Sequence, residues 1–179
     1  MLFRSTMSRK GDEDQGAGAV YGYRAGKLET LFDGITIPNS ICFSPDGTLA
    51  YFADTPTGLI LKRAIDPQTG MPTGPFSLFA DTNDLPGHPD GSVVDAQGYV
   101  WNARWGGHAV IRFAPDGSVD RVIDVAAEKV TCPSFGGPDL NTLYITTAGG
   151  DGPDDGSHAG GVFAIDLDIA GQAEHRVVV

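Results

Sequence analysis

The chain has 179 residues, enough for one domain with its own core, and carries a formal net charge of −11 with a sequence pI near 4.5. Such an acidic balance argues against nucleic-acid binding, which needs a basic footprint. No apolar run approaches the roughly 20 residues of a membrane-spanning helix. The 25 glycines, 12 prolines and 41% hydrophobic residues suit many short strands joined by tight turns.

In chain order, Met1 to Ser5 reads as foreign. Leu-Phe-Arg-Ser is what the end of a common sequencing adapter encodes in one frame, and a frayed natural terminus is the alternative. The expected division is therefore residues 1–5, set apart, and a partial domain over 6–179. Ser8 to Gly18 is polar and glycine-rich and reads as a loop. Strands follow at Ala19–Tyr23 and Leu28–Phe32, then at Ile41–Phe43 and Leu49–Phe52 around the turn Ser44-Pro45-Asp46-Gly47. Leu59–Ile65 and Phe76–Phe79 come next, then Val93-Val94, Tyr99–Trp101, Val110–Phe113 and Val119–Ile123. A last cycle opens at Ser134-Phe135 and runs through Leu143–Ile145 to Gly161–Ile165. Val125–Lys129 is the one helical candidate and is too short to matter.

This order is an internal repeat. Ile37-Pro38-Asn39-Ser40 with Ser44-Pro45-Asp46-Gly47 returns as His88-Pro89-Asp90-Gly91 with Asp95-Ala96-Gln97-Gly98. Asn39 and Asp90 lie 51 residues apart, and Thr131, the third equivalent, lies 41 residues further on. Four short strands per roughly 40–50 residues is the mark of a β-propeller blade. The fold class is therefore all-β, an incomplete ring of about four blades. The first strand of each blade lines the central channel, so equivalent positions converge on one mouth.

Asn39 and Asp90 offer an amide and a carboxylate oxygen to a hard cation such as Ca²⁺ or Mg²⁺. Equally, both residue types cap turns after proline. Asp46 and Asp116 sit in Pro-Asp-Gly turns between strands and read as turn formers. Trp101, Asn102, Arg104 and Trp105 follow a blade's second strand, where they either pack or edge a sugar pocket. The acidic run Asp151–Gly156 lacks the ligand alternation of a calcium-binding helix–loop–helix. His88, His108, His158 and His175 show no zinc spacing, and no nucleophile elbow is present. Cys42 and Cys132 lie in apolar segments and read as buried thiols of a cytosolic protein.

These segments, with Tyr51–Thr55, Tyr99–Trp101, Thr131–Gly137, Leu143–Ala148 and Ala159–Phe163, resemble the senescence marker protein/gluconolactonase family from about Thr6 to Val179. The resemblance implies a six-bladed propeller with one divalent metal ion at the channel mouth, Ca, Zn, Mg and Mn not being distinguished. It implies Asn39 and Asp90 as ligands beside a glutamate in blades outside this chain, and hence weaker metal binding here than in an intact parent. It also implies hydrolysis of a sugar lactone to the aldonic acid, with Asp90 as general base. A sugar contact falls near Arg9 and Lys10, where some members carry glutamate, and Trp105 joins them as a candidate substrate contact. Ser40 stands where glycine is common. A non-catalytic calcium-binding or scaffolding propeller and an arylesterase-like hydrolase are the rival readings.

Overall fold

The structure, a computed structural model, describes residues 2–6, 15–149 and 158–173. Its strands form four antiparallel sheets in chain order. The first contains β1 (Leu2–Thr6), β2 (Gly18–Arg24) and β3 (Lys27–Ile35). The second contains β4 (Pro38–Phe43), β5 (Leu49–Asp54), β6 (Leu59–Ile65) and β7 (Pro72–Asp81). The third contains β8 (His88–Val94), β9 (Val100–Trp105), β10 (Ala109–Phe113) and β11 (Val119–Asp124). The fourth contains β12 (Val130–Gly136), β13 (Thr142–Thr147) and β14 (Val162–Asp166). Each strand pairs with its sequence neighbour, so every sheet is a meander.

The last strand of one sheet leads straight to the first strand of the next, and β4 packs on β8 as β8 packs on β12. These three are the inner strands around a shared axis. Four small sheets packed face to face about an axis form an incomplete β-propeller, as the repeat predicts. Of the stretch 1–5 set apart in the sequence, residues 2–5 belong to β1, which pairs with β2 from Leu2↔Tyr23 to Thr6↔Ala19. Val125–Lys129 forms no helix; Val125 and Ala127 are buried in the core instead.

Apolar faces fill each gap between sheets. Val20, Ile35 and Phe52 join the first to the second, with Phe32 set edge-on to Phe52 at 4.9 Å between ring centroids. Tyr51, Ile60, Phe79, Val100, Ile111 and Phe113 fill the next gap. Trp101, Ala103, Val110, Val130, Leu143 and Ile145 fill the last. Because sheets pack on both sides of it, β9 is buried on both faces: Val100 turns to one core and Trp101 to the other.

The segment after β14 crosses the far ends of the inner strands. Ala96 N–H donates to the Ala170 carbonyl (3.0 Å), and Gln172 Nε2 donates to the Phe43 carbonyl (2.8 Å). Gly171 lies so close to Phe135 that a Cβ there would meet its side chain at 2.3 Å. The opposite ends of these strands carry Asn39, Asp90 and Thr131.

Within the third sheet a buried ion pair locks the turn that follows β8. Asp95 is fully buried, and its Oδ1 accepts from the backbone N–H groups of Gln97 (2.9 Å) and Tyr99 (3.0 Å). Its Oδ2 accepts from Trp101 Nε1 (2.9 Å) and from Arg112 Nε (2.9 Å) and Nη2 (2.7 Å). The Arg112 guanidinium carbon lies over the Tyr99 ring, 3.6 Å from its centroid, and Arg112 also pairs with Asp120 at 2.8 Å. Removing one partner of such a pair leaves the other charge buried, which costs about 3–5 kcal/mol. Asp95→Ala is expected to lower the urea unfolding free energy by about that amount, while the exposed Asp116→Ala lowers it by less than about 1 kcal/mol.

Candidate functional site

Each inner strand carries a one-residue bulge near its start. Between Asn39↔Ala53 and Cys42↔Tyr51, β4 advances three residues while β5 advances two. Between Pro89↔Arg104 and Ser92↔Asn102, β8 does the same against β9. In β12 the shift falls between Val130↔Thr147 and Cys132↔Thr146. An extra residue breaks the alternation of a strand and re-aims the side chains beside it. Asn39 sits just ahead of its bulge and Asp90 within its own, on adjacent strands at the same mouth.

The two positions are physically linked. Asn39 Nδ2 donates to Thr55 Oγ1 (2.8 Å), and Thr55 Oγ1 donates to the Pro89 carbonyl (2.8 Å). Two hydrogen bonds therefore separate the amide of Asn39 from the peptide that leads into Asp90. The bond to Thr55 fixes the amide's orientation and leaves Oδ1 as its metal-competent atom.

Ser40 stitches the bulges together. It is buried, with φ at +57°, a left-handed conformation that glycine adopts freely and other residues rarely do. That accounts for glycine as the common residue here. The serine adds a hydroxyl with all its capacity used. Ser40 Oγ donates to the Asp90 carbonyl (2.7 Å) and accepts from Ser92 Oγ (2.9 Å) and Asn102 Nδ2 (3.0 Å). Asn102 Oδ1 in turn accepts from Arg104 Nη1 (3.1 Å).

Burial pushes the Asp90 carboxyl up to about 6 against the opposing backbone N–H of Gly91. Among the described residues no basic side chain forms an ion pair with it. A carboxylate half-withdrawn from water without a positive partner suits either a proton or a cation. With the Asn39 oxygen it gives two hard donors, which fit Ca²⁺, Mg²⁺ or Mn²⁺ with water completing the shell. No group of three His, Cys, Asp or Glu side chains clusters for a metal among the described residues.

Other sequence candidates fall differently. Thr131 Oγ1 is 2.7 Å from Thr146 Oγ1, a pair in which either hydroxyl can donate. The β12 group beside Asp90 is Cys132: a Cβ on Gly91 would meet its Sγ at 2.7 Å. The protein packed around that sulfur, then the Asp90 charge, raises its pKa. As a residue Cys132 is nevertheless exposed, unlike buried Cys42, which corrects the reading of two buried thiols. Trp101 packs edge-on against Phe135 at 5.8 Å, while Trp105 stays 37% exposed beside Lys129, 5.8 Å from its ring, and can still face a ligand. Asn102 and Arg104 are fully buried and so cannot edge a pocket. Arg9, Lys10, the acidic run at 151–156 and His175 lie outside the described residues. Asp46 and Asp116 cap their turns: Asp46 Oδ1 accepts from Thr48 N (3.1 Å) and Asp116 Oδ1 from Ser118 N (3.0 Å).

Meander sheets packed about an axis, with bulged inner strands that carry Asn39 and Asp90 side by side, define the class as a β-propeller. The sequence matches the SMP-30/Gluconolactonase/LRE-like region over residues 1–149, and the chain belongs to that family. It is 38% identical to a pentonolactonase of Haloferax volcanii, over 84% of this chain and 54% of that protein. It is 36% identical to an L-arabinolactonase of Azospirillum brasilense, over 93% of this chain and 58% of that one. The crystal structure of a calcium-binding protein, regucalcin, from Agrobacterium tumefaciens superimposes with a TM-score of 0.90 at 41% identity, covering 96% of this chain and 59% of that one. The chain thus spans a little over half the length of these relatives.

The position of Asp90 carries a pH dependence. With its folded pKa near 6 and an ordinary value of 3.8, ionised Asp90 opposes folding of the cation-free protein. The penalty is absent below about pH 3.8, grows as pH rises through about 6, and is constant above. Asp90→Asn is expected to raise the thermal midpoint of the cation-free protein by a few degrees at about pH 7.5 and to leave it unchanged at about pH 3. Differential scanning fluorimetry in EDTA at the two pH values checks this.

Proposed function

We propose that the protein hydrolyses a sugar lactone to the aldonic acid, using a divalent cation held by Asn39 and Asp90. The observation that carries the reading is the pairing of these residues, both at bulges on adjacent inner strands, with Asp90 half-buried and lacking a basic partner. The lactonase names of two relatives support the substrate class. The name of the calcium-binding regucalcin supports a cation.

A cation bound there supplies Lewis-acid polarisation of the lactone carbonyl. Asp90 accepts a proton from water as the water oxygen adds to the carbonyl carbon. The ring C–O bond then breaks, and the leaving oxygen takes that proton from Asp90, giving the open hydroxy acid and returning Asp90 to its carboxylate. Asn39 fixes the orientation of the site through its hold on Thr55. Trp105 offers an exposed aromatic face to the sugar, and Arg9 and Lys10 are further candidates for its hydroxyls. A cytosolic setting accompanies the reading, with Cys42 and Cys132 both unbridged. Among the described residues no helix is long and apolar enough to cross a membrane.

Acid release from a panel of aldonolactones, followed by pH-stat, tests the reading. EDTA is expected to abolish turnover and Mn²⁺ or Ca²⁺ to restore it. Asp90→Ala is expected to lower kcat by about 10²-fold or more, and Asn39→Ala to raise the cation concentration needed at least about tenfold. Cation binding with no lactone opened would leave a calcium-binding propeller in its place.

A further inference from the structure

Arg104 is fully buried in β9 and, among the described residues, has no carboxylate partner; burial lowers its pKa to about 10, so it stays charged at neutral pH. Its N–H groups all point at neutral oxygens. Nε donates to the Pro86 carbonyl (2.9 Å), and Nη2 to those of Gly87 (2.7 Å) and Thr82 (3.4 Å). Nη1 donates to Thr82 Oγ1 (3.0 Å) and to Asn102 Oδ1 (3.1 Å). A buried cation without an anion is a costly way to fill space, and an apolar side chain of similar volume does so more cheaply. Something other than packing accounts for a guanidinium here.

What it holds is the segment leading into Asp90. Pro86 and Gly87 stand just ahead of His88-Pro89-Asp90. That segment is pressed against the turn after β9: a Cβ at Gly87 would lie 2.5 Å from Gly107 N, and one at Gly107 would lie 2.6 Å from the Pro86 carbonyl. Beyond the guanidinium, Asn102 Nδ2 reaches the Asp90 carbonyl (3.2 Å), Ser92 Oγ (3.0 Å) and Ser40 Oγ (3.0 Å). The bulge is thus gripped before and after Asp90 from a single strand.

The neighbouring blade has the same device with opposite polarity. Pro38 pairs with Asp54 where Pro89 pairs with Arg104. Asp54 Oδ1 accepts from Ile37 N–H (2.7 Å) and its Oδ2 from Thr36 N–H (3.1 Å), holding the approach to Asn39 by its donors. Arg104 holds the approach to Asp90 by its acceptors. Two chemically unlike side chains at one repeat position doing one job point to that job.

We infer that Arg104 and Asn102 are positioning residues that fix the Asp90–Gly91 bulge at the channel mouth and thereby set the cation affinity of the site. The proposal rests on the reading of Asn39 and Asp90 as the cation site.

The test is Asn102→Asp, with Arg104→Lys as the second variant. Aspartate at 102 pairs with Arg104 and keeps the fold, but it cannot donate to the Asp90 carbonyl, and it draws the Ser40 hydroxyl away from it. Mn²⁺ affinity is measured by electron paramagnetic resonance, the Asp90 carboxylate is located in crystals of the variant, and the thermal midpoint is recorded. The expected result is a displaced bulge and an Mn²⁺ affinity lower by about tenfold or more, with the midpoint moved by less than about 5 °C. An added negative charge acting only through space would raise Mn²⁺ affinity, so the two accounts differ in sign. An unmoved bulge, or an affinity unchanged or raised, overturns the inference. If Asn102→Asp does not fold, Arg104→Lys, which keeps the charge with three donors in place of five, is read by the same criteria. Failure of the unmodified protein to bind Mn²⁺ removes the cation-site reading instead, while the bulge position still decides whether Asn102 and Arg104 hold Asp90.

Discussion

One hydroxyl proton joins two blades at the point where they matter most. Ser40 Oγ gives it to the Asp90 carbonyl, across the seam between β4 and β8, and receives bonds from Ser92 and Asn102 in return. The Thr55 hydroxyl adds a second polar tie, to the Pro89 carbonyl, and the apolar contacts between the sheets fix distance but not register. A buried donor and its acceptors fix both, because leaving any of them unpaired costs about 1–3 kcal/mol. The left-handed backbone at Ser40 is the cost of placing that hydroxyl where three partners meet.

The bulges give this seam its chemical meaning. A regular inner strand would send alternate side chains to the flanking cores, as β9 does with Val100 and Trp101. One surplus residue breaks that alternation beside Asn39, Asp90 and Thr131. The ion pair of Asp95 and Arg112 serves a different end. It closes the turn at the far end of β8 and joins β9 to β10, so the strand that carries Asp90 is anchored at both ends.

Much of this was legible in the residues. Period-2 apolar pieces bounded by Pro-Asp-Gly and Ala-Gln-Gly turns located nearly every strand. The offset between Asn39 and Asp90 placed them at matching positions. The bulges were not legible, because they are counts of one strand against another and no single strand reveals them. For Asn102 and Arg104 the sequence leaves packing and a pocket edge both open, since polar residues usually face water, and the structure buries them. The signal to the contrary was their place at alternate positions of a strand whose other residues, Trp101 and Ala103, are core-forming: a strand covered on both faces must bury its polar residues too. Cys132 misled in the opposite way, since an apolar neighbourhood in sequence does not distinguish a seam from a channel wall. The residues Leu-Phe-Arg-Ser suggest an adapter-encoded start at Met1–Ser5, and the ladder of β1 beside β2 is compatible with that or with a natural strand, because any short chain with strand propensity can complete it.

The segment that crosses the far ends of the inner strands has a consequence for biogenesis. Each sheet is built from sequence neighbours and can begin to form as soon as it leaves the ribosome. The carbonyl of Phe43 receives its bond from Gln172, 129 residues later. The second blade is therefore translated long before that partner exists. Nascent chains stalled short of this segment would hold a second blade whose Phe43 carbonyl still waits for its donor.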